Sequence, residues 1–179
     1  RAVAKLLKES GQEVLCIDSN TQHCLAAEAD CTRVICGNGL QPRYLARAEI
    51  DTRKGAIALT PNEEVNYLFL QRVKAEIKEI FLFSALQAGS TSLTEGMLSQ
   101  QGAEVVFGVP VDVDLWTHRF QQRQVLLQKW QYAGGAAEDF NVLEYSPKSV
   151  ILAGVVRGGS LWPVGTWLKL KKGDEAFFF

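Results

Sequence analysis

Small and polar residues stand directly after three short apolar runs of this sequence, at the point where each run ends. They are Asp18 and Ser19 after the first run, Asn38 and Gly39 after the second, and Thr60 and Asn62 after the third. A carboxylate at the end of a strand in a doubly wound α/β sheet can accept hydrogen bonds from the ribose hydroxyls of an adenine nucleotide. Ligands bind such sheets beyond the carboxyl ends of their strands, so the pattern predicts a nucleoside-binding cleft.

Each of these positions also has an ordinary structural interpretation. Asp18 before Ser19 and Asn20 is a common turn or helix-cap arrangement. Thr60 and Asn62 are equally well suited to cap the helix that follows them. The residues alone leave both interpretations open.

The elements that would position these residues alternate between apolar strands and helices. Strands are predicted at about 13–17, 33–36, 56–59, 79–86 and 104–107, and helices at about 1–10, 21–29, 42–48, after 62 through 74, and 93–101. Short apolar strands separated by helices are typical of a parallel sheet covered on both faces. We therefore expect a doubly wound α/β domain over residues 1–133.

The remainder of the chain changes character. From Val113 to Tyr132 apolar residues recur at helical spacing, which predicts one long helix with Trp116 and Trp130 on its apolar face. That helix either packs in the core or mediates a contact between subunits or lobes. Small and polar residues at 134–139 predict a linker, and the glycine-punctuated strands beyond it predict a small antiparallel β-rich lobe over residues 140–179.

Composition and spacing argue against several classes of protein. The chain has 19 Lys and Arg against 20 Asp and Glu, and no basic stripe, so we do not expect nucleic acid as a partner. No run approaches the roughly 20 apolar residues that a bilayer crossing requires. Neither His23 nor His118 has a partner at metal-ligand spacing, and no motif for nucleophilic catalysis occurs, so no metal or catalytic residue is predicted.

The four cysteines, Cys16, Cys24, Cys31 and Cys36, show no CxxC spacing. Cys16 and Cys36 fall inside apolar runs, where a thiol usually behaves as a small hydrophobe. We expect buried thiols in a reducing cytoplasm. The alternative is a disulfide or metal pair that involves Cys24 and Cys31.

Three segments together resemble the RCK/KTN family of potassium-transport nucleotide-binding domains, which includes the TrkA-N type. They are VLCIDSN at residues 14–20, VICGNGLQPRYLARAEID at 34–51 and GAIALTPNEEVNYLFLQRVK at 55–74. The combination of GNGL with ALTPNEEVN is most similar to the copy at the C-terminus of bacterial sodium/proton antiporters. Residues 1–85 carry the resemblance, and the ending from Val155 is similar to the small lobe that often follows such a domain.

The resemblance implies a Rossmann-like doubly wound parallel sheet followed by a small antiparallel β-rich lobe, assembled as a homodimer. It implies an adenine nucleotide ligand, one of NAD(H), AMP, ADP or ATP, that gates a membrane-embedded cation transporter domain at the cytoplasmic face of the cell membrane. By matching position, Asp18 with Ser19 beside it would hold the ribose, Asn38 and Gly39 would meet the adenine side, and Thr60 and Asn62 would edge the pocket.

Two features depart from the family pattern. Asn38 replaces the usual acid, and the strand and glycine-rich loop expected before the first helix do not occur, because the sequence begins at Arg1 inside that helix. Two alternatives remain beside a non-enzymatic regulatory domain. One is an NAD-dependent oxidoreductase domain, which needs a general acid or base over the nicotinamide. The other is a structural dimerisation module that uses the Trp116 and Trp130 face and has a vestigial pocket.

Overall fold

The protein is represented by a computed structural model that describes residues 1–90, 92–134, 149–166 and 168–179. Its helices are α1 (Ala2–Glu9), α2 (Thr21–Ala29), α3 (Pro42–Arg47), α4 (Glu63–Glu76), α5 (Glu95–Gln100) and α6 (Val113–Gln121). Its strands are β1 (Leu15–Asp18), β2 (Arg33–Cys36), β3 (Gly55–Ala58), β4 (Phe81–Ser84), β5 (Ala103–Val105), β6 (Gln128–Gln131), β7 (Leu152–Arg157), β8 (Ser160–Pro163) and β9 (Glu175–Phe178). Short 3₁₀ turns occupy Ile50–Thr52 and Val106–Gly108.

The first five strands are parallel and alternate with helices, which confirms the Rossmann-like α/β fold expected from the sequence. β1 pairs with β2, and β3, β4 and β5 pair in that order. Among the described residues, β1 and β3 each keep one edge without a strand partner. Leu70 and Val73 of α4 are fully buried in a core that includes residues of β3, β4 and β5, and Ile17 of β1 packs against the same core.

Local side-chain chemistry sets where the helices begin and end. The Asn20 side chain accepts hydrogen bonds from the backbone of Gln22 and His23 and so starts α2. α1 ends at Glu9, and Gly11 follows with a φ of 79°, the left-handed conformation that glycine adopts without strain. The backbone N–H groups of Gly11 and Gln12 donate to carbonyls in the last turn of α1. The predicted end of the first helix is therefore confirmed.

The prediction of one helix from Val113 to Tyr132 is wrong. α6 stops at Gln121, and Arg123 adopts a left-handed φ of 56° while the N–H of Gln124 donates back to the Arg119 carbonyl. The missing cue is glycine, which usually occupies this left-handed position at a helix end. Residues 128–131 form β6 instead, so Trp116 and Trp130 do not share a helical face.

The last strands form the expected small antiparallel sheet, in the order β6-β9-β7-β8. Its loops are tied together by Arg157, which donates two hydrogen bonds to the buried Asp174 carboxylate, at 2.9 and 2.6 Å. These hydrogen bonds from Arg157 hold the pKa of Asp174 below its usual range. The last strand of this sheet, β9, covers Glu175–Phe178.

The division of the chain at residues 133 and 140 stays a prediction. β6 lies before that division and pairs with β9 beyond it. The predicted linker at 134–139 falls outside the described residues except for Gly134. In the part of the chain that is described, no helix combines the length and the apolar character that a bilayer crossing needs.

A second core joins the parallel and antiparallel parts. Phe83 of β4, Trp116 of α6 and Ile151 just before β7 are all buried in it. Phe107 is buried there with a left-handed φ of 69°, a conformation that bulky residues rarely adopt. Packing on both sides of the turn therefore holds the backbone at Phe107 in place.

Candidate functional site

The first polar cluster lies where β1 and β2 end, and we call Asp18, Gly37 and Asn38 the β1–β2 tip. Asp18 is the register partner of Cys36, and the N–H of Gly37 donates to the Asp18 carbonyl at 2.8 Å. The chain thus turns out of β2 directly beside Asp18. The structure therefore brings Asp18 and Asn38 to the same corner of the fold, as the sequence predicts.

The Asp18 carboxylate is oriented by its neighbours but remains accessible. Its Oδ1 accepts a hydrogen bond from the Asn20 N–H at 2.8 Å, and its Oδ2 lies 3.2 Å from His23 Nδ1. The Asp18 side chain is 40% exposed. Each carboxylate oxygen can accept more than one hydrogen bond, so acceptor capacity is left for a ligand. Ser19 follows it and is exposed.

Asn38 uses only part of its hydrogen-bonding capacity within the protein. Its Oδ1 accepts from the Leu40 N–H at 2.9 Å, which closes the turn after β2. No bond from its Nδ2 to another described residue is present. An amide that closes a turn with its oxygen can offer its nitrogen as a donor, where an acid would offer only acceptors.

Two glycines set how closely other side chains approach this tip. A Cβ on Gly37 would lie 2.3 Å from the Tyr44 ring, so the ring of α3 occupies the space that any other side chain would need. A Cβ on Gly39 would lie 3.4 Å from the ring of Phe69 on α4 and 3.6 Å from Ile17, which is ordinary contact. Phe69 thus links the β1–β2 tip to α4.

The second polar cluster lies where β3 and β4 end, and we call Thr60, Glu63, Asn66 and Gln87 the β3–β4 tip. Asn66 is almost fully buried, and its side chain bonds Thr60 through three hydrogen bonds. The Thr60 N–H and hydroxyl donate to Asn66 Oδ1 at 3.0 and 2.7 Å, and Asn66 Nδ2 donates to the Thr60 carbonyl at 2.8 Å. We call these three hydrogen bonds the Asn66 clamp. The Thr60 hydroxyl is therefore already bonded within the protein.

Glu63 is also buried, and every bond it makes holds the loop after β4. Its carboxylate accepts from the Gln87 N–H at 2.6 Å and from the hydroxyls of Ser90 and Ser92. The Gln87 side chain in turn donates to the Pro61 carbonyl at 3.0 Å. The β3 and β4 loops are therefore bound to each other by side chains.

An open pocket of about 400 Å³ lies beside the β3–β4 tip. It is lined by Pro61, Asn62, Glu63, Glu64, Gln87 and Ser92. Asn62 is the single residue of the predicted site in this lining, and its Oδ1 accepts the Val65 N–H at 3.0 Å as a helix cap. The capping interpretation of Asn62 thus describes its contacts, and the six predicted residues form two groups rather than one lining.

Sequence reasoning did not single out Tyr44, Glu63 or Asn66. The sequence could have indicated Asn66, because asparagine has a low helix propensity and its presence inside a helix suggests that its side chain makes specific hydrogen bonds. A signal also existed for Glu63, which is placed in the first helical turn, although its burial depends on serines that lie far along the chain. The contact of Tyr44 with Gly37 is tertiary and has no local signature.

The cysteines depart from the expectation of buried thiols. Cys24 is buried and Cys16 is half-buried, whereas Cys31 and Cys36 are exposed and all four thiols are free. Cys36 is the last residue of β2 and is exposed, whereas Ile35 before it is buried. Within the described ranges, no three side chains of His, Cys, Asp or Glu gather into a metal site.

Comparison with known proteins identifies the fold and the family. Residues 1–109 match the model of the TrkA-N domain. The NAD(P)-binding domain of an exopolyphosphatase-related protein from Archaeoglobus fulgidus superposes with a TM-score of 0.52 at 14% identity, covering 69% of this chain and 87% of that one. The TrkA-N domain of the inner membrane protein ybaL from Escherichia coli gives 0.53 at 14% identity, with coverages of 70% and 87%.

A third solved structure extends the similarity over the antiparallel part. The GsuK channel matches with a TM-score of 0.52 at 15% identity over 99% of this chain, which corresponds to 34% of the channel chain. No curated protein matches the sequence. Because the family model spans more than half of the 179 residues, the chain belongs to the TrkA-N domain family.

Proposed function

We propose that this chain is a regulatory domain that binds an adenine nucleotide at the β1–β2 tip and gates a cation transporter. One observation carries the proposal. The Asp18 carboxylate stands at the end of β1, held by the Asn20 N–H at 2.8 Å, and is 40% exposed. A carboxylate fixed at the end of a parallel strand in a Rossmann-like sheet is suited to accept hydrogen bonds from the ribose hydroxyls.

The other groups of the β1–β2 tip complement this role. Asn38 Nδ2 would donate to an acceptor of the ribose or the base, whereas the usual acid at this position would accept. Gly37 and Gly39 allow the Tyr44 and Phe69 rings to pack against the backbone of this corner, which fixes the turn that carries Asn38. Ser19 would contribute its exposed hydroxyl beside the ribose.

The β3–β4 tip would serve as the far wall of the cleft. Thr60 and Asn62 present backbone to the ligand side, because their side chains are engaged in the Asn66 clamp and the α4 cap. The pocket beside Asn62 is open and about 400 Å³ in volume. The free edges of β1 and β3 are compatible with a further parallel strand between them, whose glycine-rich loop would hold the phosphates.

The names of the similar structures support the same ligand class and setting. One is an NAD(P)-binding domain, one belongs to an inner membrane protein and one is a channel. From them we infer an adenine nucleotide, one of NAD(H), AMP, ADP or ATP, and a membrane-embedded cation transporter domain as partner. The sodium/proton antiporters are the class we favour, because GNGL and ALTPNEEVN in this sequence are most similar to their domains.

Regulation requires two states with different affinities for the nucleotide. We propose that two copies of the chain pair at the cytoplasmic face of the membrane, and that the ligand favours one mutual orientation. A coupling of about 1 to 3 kcal/mol is usual for such linkage. The proposed role is regulatory and not catalytic, since the exposed polar groups of the tip bind and orient a ligand without a reacting partner.

Calorimetry tests the binding claim. We would titrate NAD⁺, NADH, AMP, ADP and ATP separately into the intact protein that contains residues 1–179. Saturable heat with at least one of them is expected, and Asp18→Ala should abolish it. Asp51→Ala is the matched control, since Asp51 is an exposed acid on the 3₁₀ turn before β3.

Two results would count against the proposal. Saturable binding that is equally strong in Asp18→Ala would move the ligand away from the β1–β2 tip. No heat with any of the five nucleotides would remove the sensing role. Gating is tested separately by measuring cation flux through the intact transporter in vesicles, with and without the nucleotide that binds.

A further inference from the structure

Two thiols lie together beside the β1–β2 tip without any role in the nucleotide proposal. Cys24 sits on α2 and is 4% exposed, whereas Cys36 ends β2 and is exposed. α2 packs directly on β2. Both cysteines lie next to Asp18 in the fold.

Asp18 fixes the two cysteines relative to each other. The Cys24 thiol donates to the Asp18 carbonyl at 3.3 Å. Cys36 is the register partner of Asp18 in the parallel pair β1–β2. The two cysteines therefore adjoin one residue from two elements, and the proximity of the Cys36 thiol helps to raise the pKa of Cys24.

The two thiols differ in burial, and this difference gives them different roles in oxidation. Burial and the neighbouring Cys36 side chain raise the pKa of Cys24 to about 11, so this thiol is protonated near neutral pH. Cys36 meets solvent and is the sulfur that a reagent reaches first. An accessible thiol next to a shielded one is the arrangement in which a first, mixed disulfide is resolved internally.

We propose that Cys24 and Cys36 form an oxidisable dithiol site, which a small-molecule disulfide such as oxidised glutathione converts into a disulfide bond between α2 and β2. The site is independent of the proposed nucleotide function. It differs from the pairing with Cys31 that the sequence suggested, since Cys31 is exposed in the turn between α2 and β2 with a left-handed φ of 55°.

The reaction balances with oxidised glutathione as the only oxidant. The Cys36 thiolate attacks one glutathione sulfur, the glutathione S–S bond breaks, and one glutathione thiolate leaves. The Cys24 thiolate then attacks Cys36 Sγ and displaces the second glutathione thiolate. The two protons of the cysteine thiols pass to the two glutathione thiolates through solvent. Two cysteines are oxidised and one glutathione disulfide is reduced.

Closure would change the surroundings of Asp18. A disulfide requires the sulfurs to move to about 2.05 Å from each other, and an oxidised Cys24 has no S–H to donate. The bond from Cys24 to the Asp18 carbonyl is then lost. Oxidation would thus release one of the contacts that position the end of β1.

The test is oxidation of the intact protein with excess glutathione disulfide at mildly alkaline pH, followed by alkylation of free thiols and peptide mass mapping. The expected product links the peptide that contains Cys24 to the peptide that contains Cys36. A variant with both Cys16→Ser and Cys31→Ser should form the same link, because neither residue takes part. Cys24→Ser should stop at a single glutathione on Cys36, and Cys36→Ser should form no internal link.

Cys36→Ser also protects the test against a folding failure, because Cys36 is exposed and its replacement leaves the buried Cys24 in place. The proposal is overturned if both thiols stay alkylatable in the variant that lacks Cys16 and Cys31. It is equally overturned if the wild-type link uses Cys31 or Cys16 in place of Cys36. The rate of closure after the first adduct should rise with pH, since Cys24 must lose its proton.

Discussion

The two polar clusters at the ends of the parallel strands look alike in sequence and differ in what their side chains do. At the β3–β4 tip, Asn66 and Glu63 are buried, and their side-chain bonds hold loops together. At the β1–β2 tip, Asp18 and Asn38 have accessible side chains, and each makes only one or two bonds that orient it. The side chains of the β3–β4 tip hold its loops in place, whereas those of the β1–β2 tip keep unused hydrogen-bonding capacity at the surface.

This difference separates two roles that the residue types alone do not distinguish. Burying a polar side chain lowers the stability of the fold unless that side chain is hydrogen-bonded. Removal of such bonds should therefore lower the free energy of unfolding. An exposed side chain that its neighbours already orient loses little conformational freedom when a ligand binds. Its replacement should therefore change ligand affinity more than stability. Substitutions at the β3–β4 tip should therefore change the free energy of unfolding, and substitutions at the β1–β2 tip should change ligand affinity.

Replacement of Asn66 by Leu should have the largest effect on folding. Leu has a similar volume but cannot bond the Thr60 N–H, hydroxyl or carbonyl, so buried polar groups lose their partners. The expected loss in the free energy of unfolding is about 2 to 4 kcal/mol, measured by urea denaturation. Asn38→Ala is the matched control and should cost about 1 kcal/mol or less, because its one bond is exposed. Equal losses of unfolding free energy in the two variants would contradict the distinction between the two tips.

Gly37→Ala should cause the second-largest loss of stability. The new Cβ would lie 2.3 Å from the Tyr44 ring, so α3 must shift, at a cost of about 1 to 3 kcal/mol. Gly39→Ala offers a close control, since its Cβ would make ordinary contacts at 3.4 Å or more. Thermal unfolding of both variants checks the difference. If Gly39→Ala is the more damaging change, the packing described at this corner is incorrect.

Glu63→Gln should cost about 1 to 2 kcal/mol. An amide keeps one acceptor oxygen but places a donor group among the Gln87 N–H and the hydroxyls of Ser90 and Ser92. Glu64→Gln, at the neighbouring exposed position, should be nearly neutral. Hydrogen exchange of the Gln87 amide gives a local measurement, and it should accelerate only in Glu63→Gln.

Asp18→Asn should have the smallest effect on stability, within about 0.5 kcal/mol, because an amide oxygen can still accept the Asn20 N–H. Under the proposed function, the affinity for an adenine nucleotide should fall at least about tenfold, since a charged acceptor of ribose hydroxyls is lost. Asp51→Asn should leave affinity unchanged. A large loss of stability with unchanged affinity would assign Asp18 to the scaffold.

The alternation of strands and helices was predictable, because it rests on local patterns. Asn20 and Asn62 cap the helices that the sequence placed after them, and β2 covers the predicted residues. The break after α6 was not predictable, because a left-handed Arg123 gives no sequence signal comparable with glycine. Of the site, Asp18 beside Asn38 followed from the parallel pairing of strand ends. The burial of Glu63 and the contact of Tyr44 with Gly37 depend on segments that meet only in the folded chain.

The core shared by the two sheets gives the molecule a mechanical connection. The final residue, Phe179, packs edge-on against Phe120 of α6 with ring centroids 5.0 Å apart, and Ile151 is buried in the same core as Phe83. Phe83 lies on β4, the strand that leads to Gln87. The antiparallel sheet and β4 are therefore packed into one continuous core, so a substitution that shrinks Phe179 or Ile151 should also loosen the packing of Phe83.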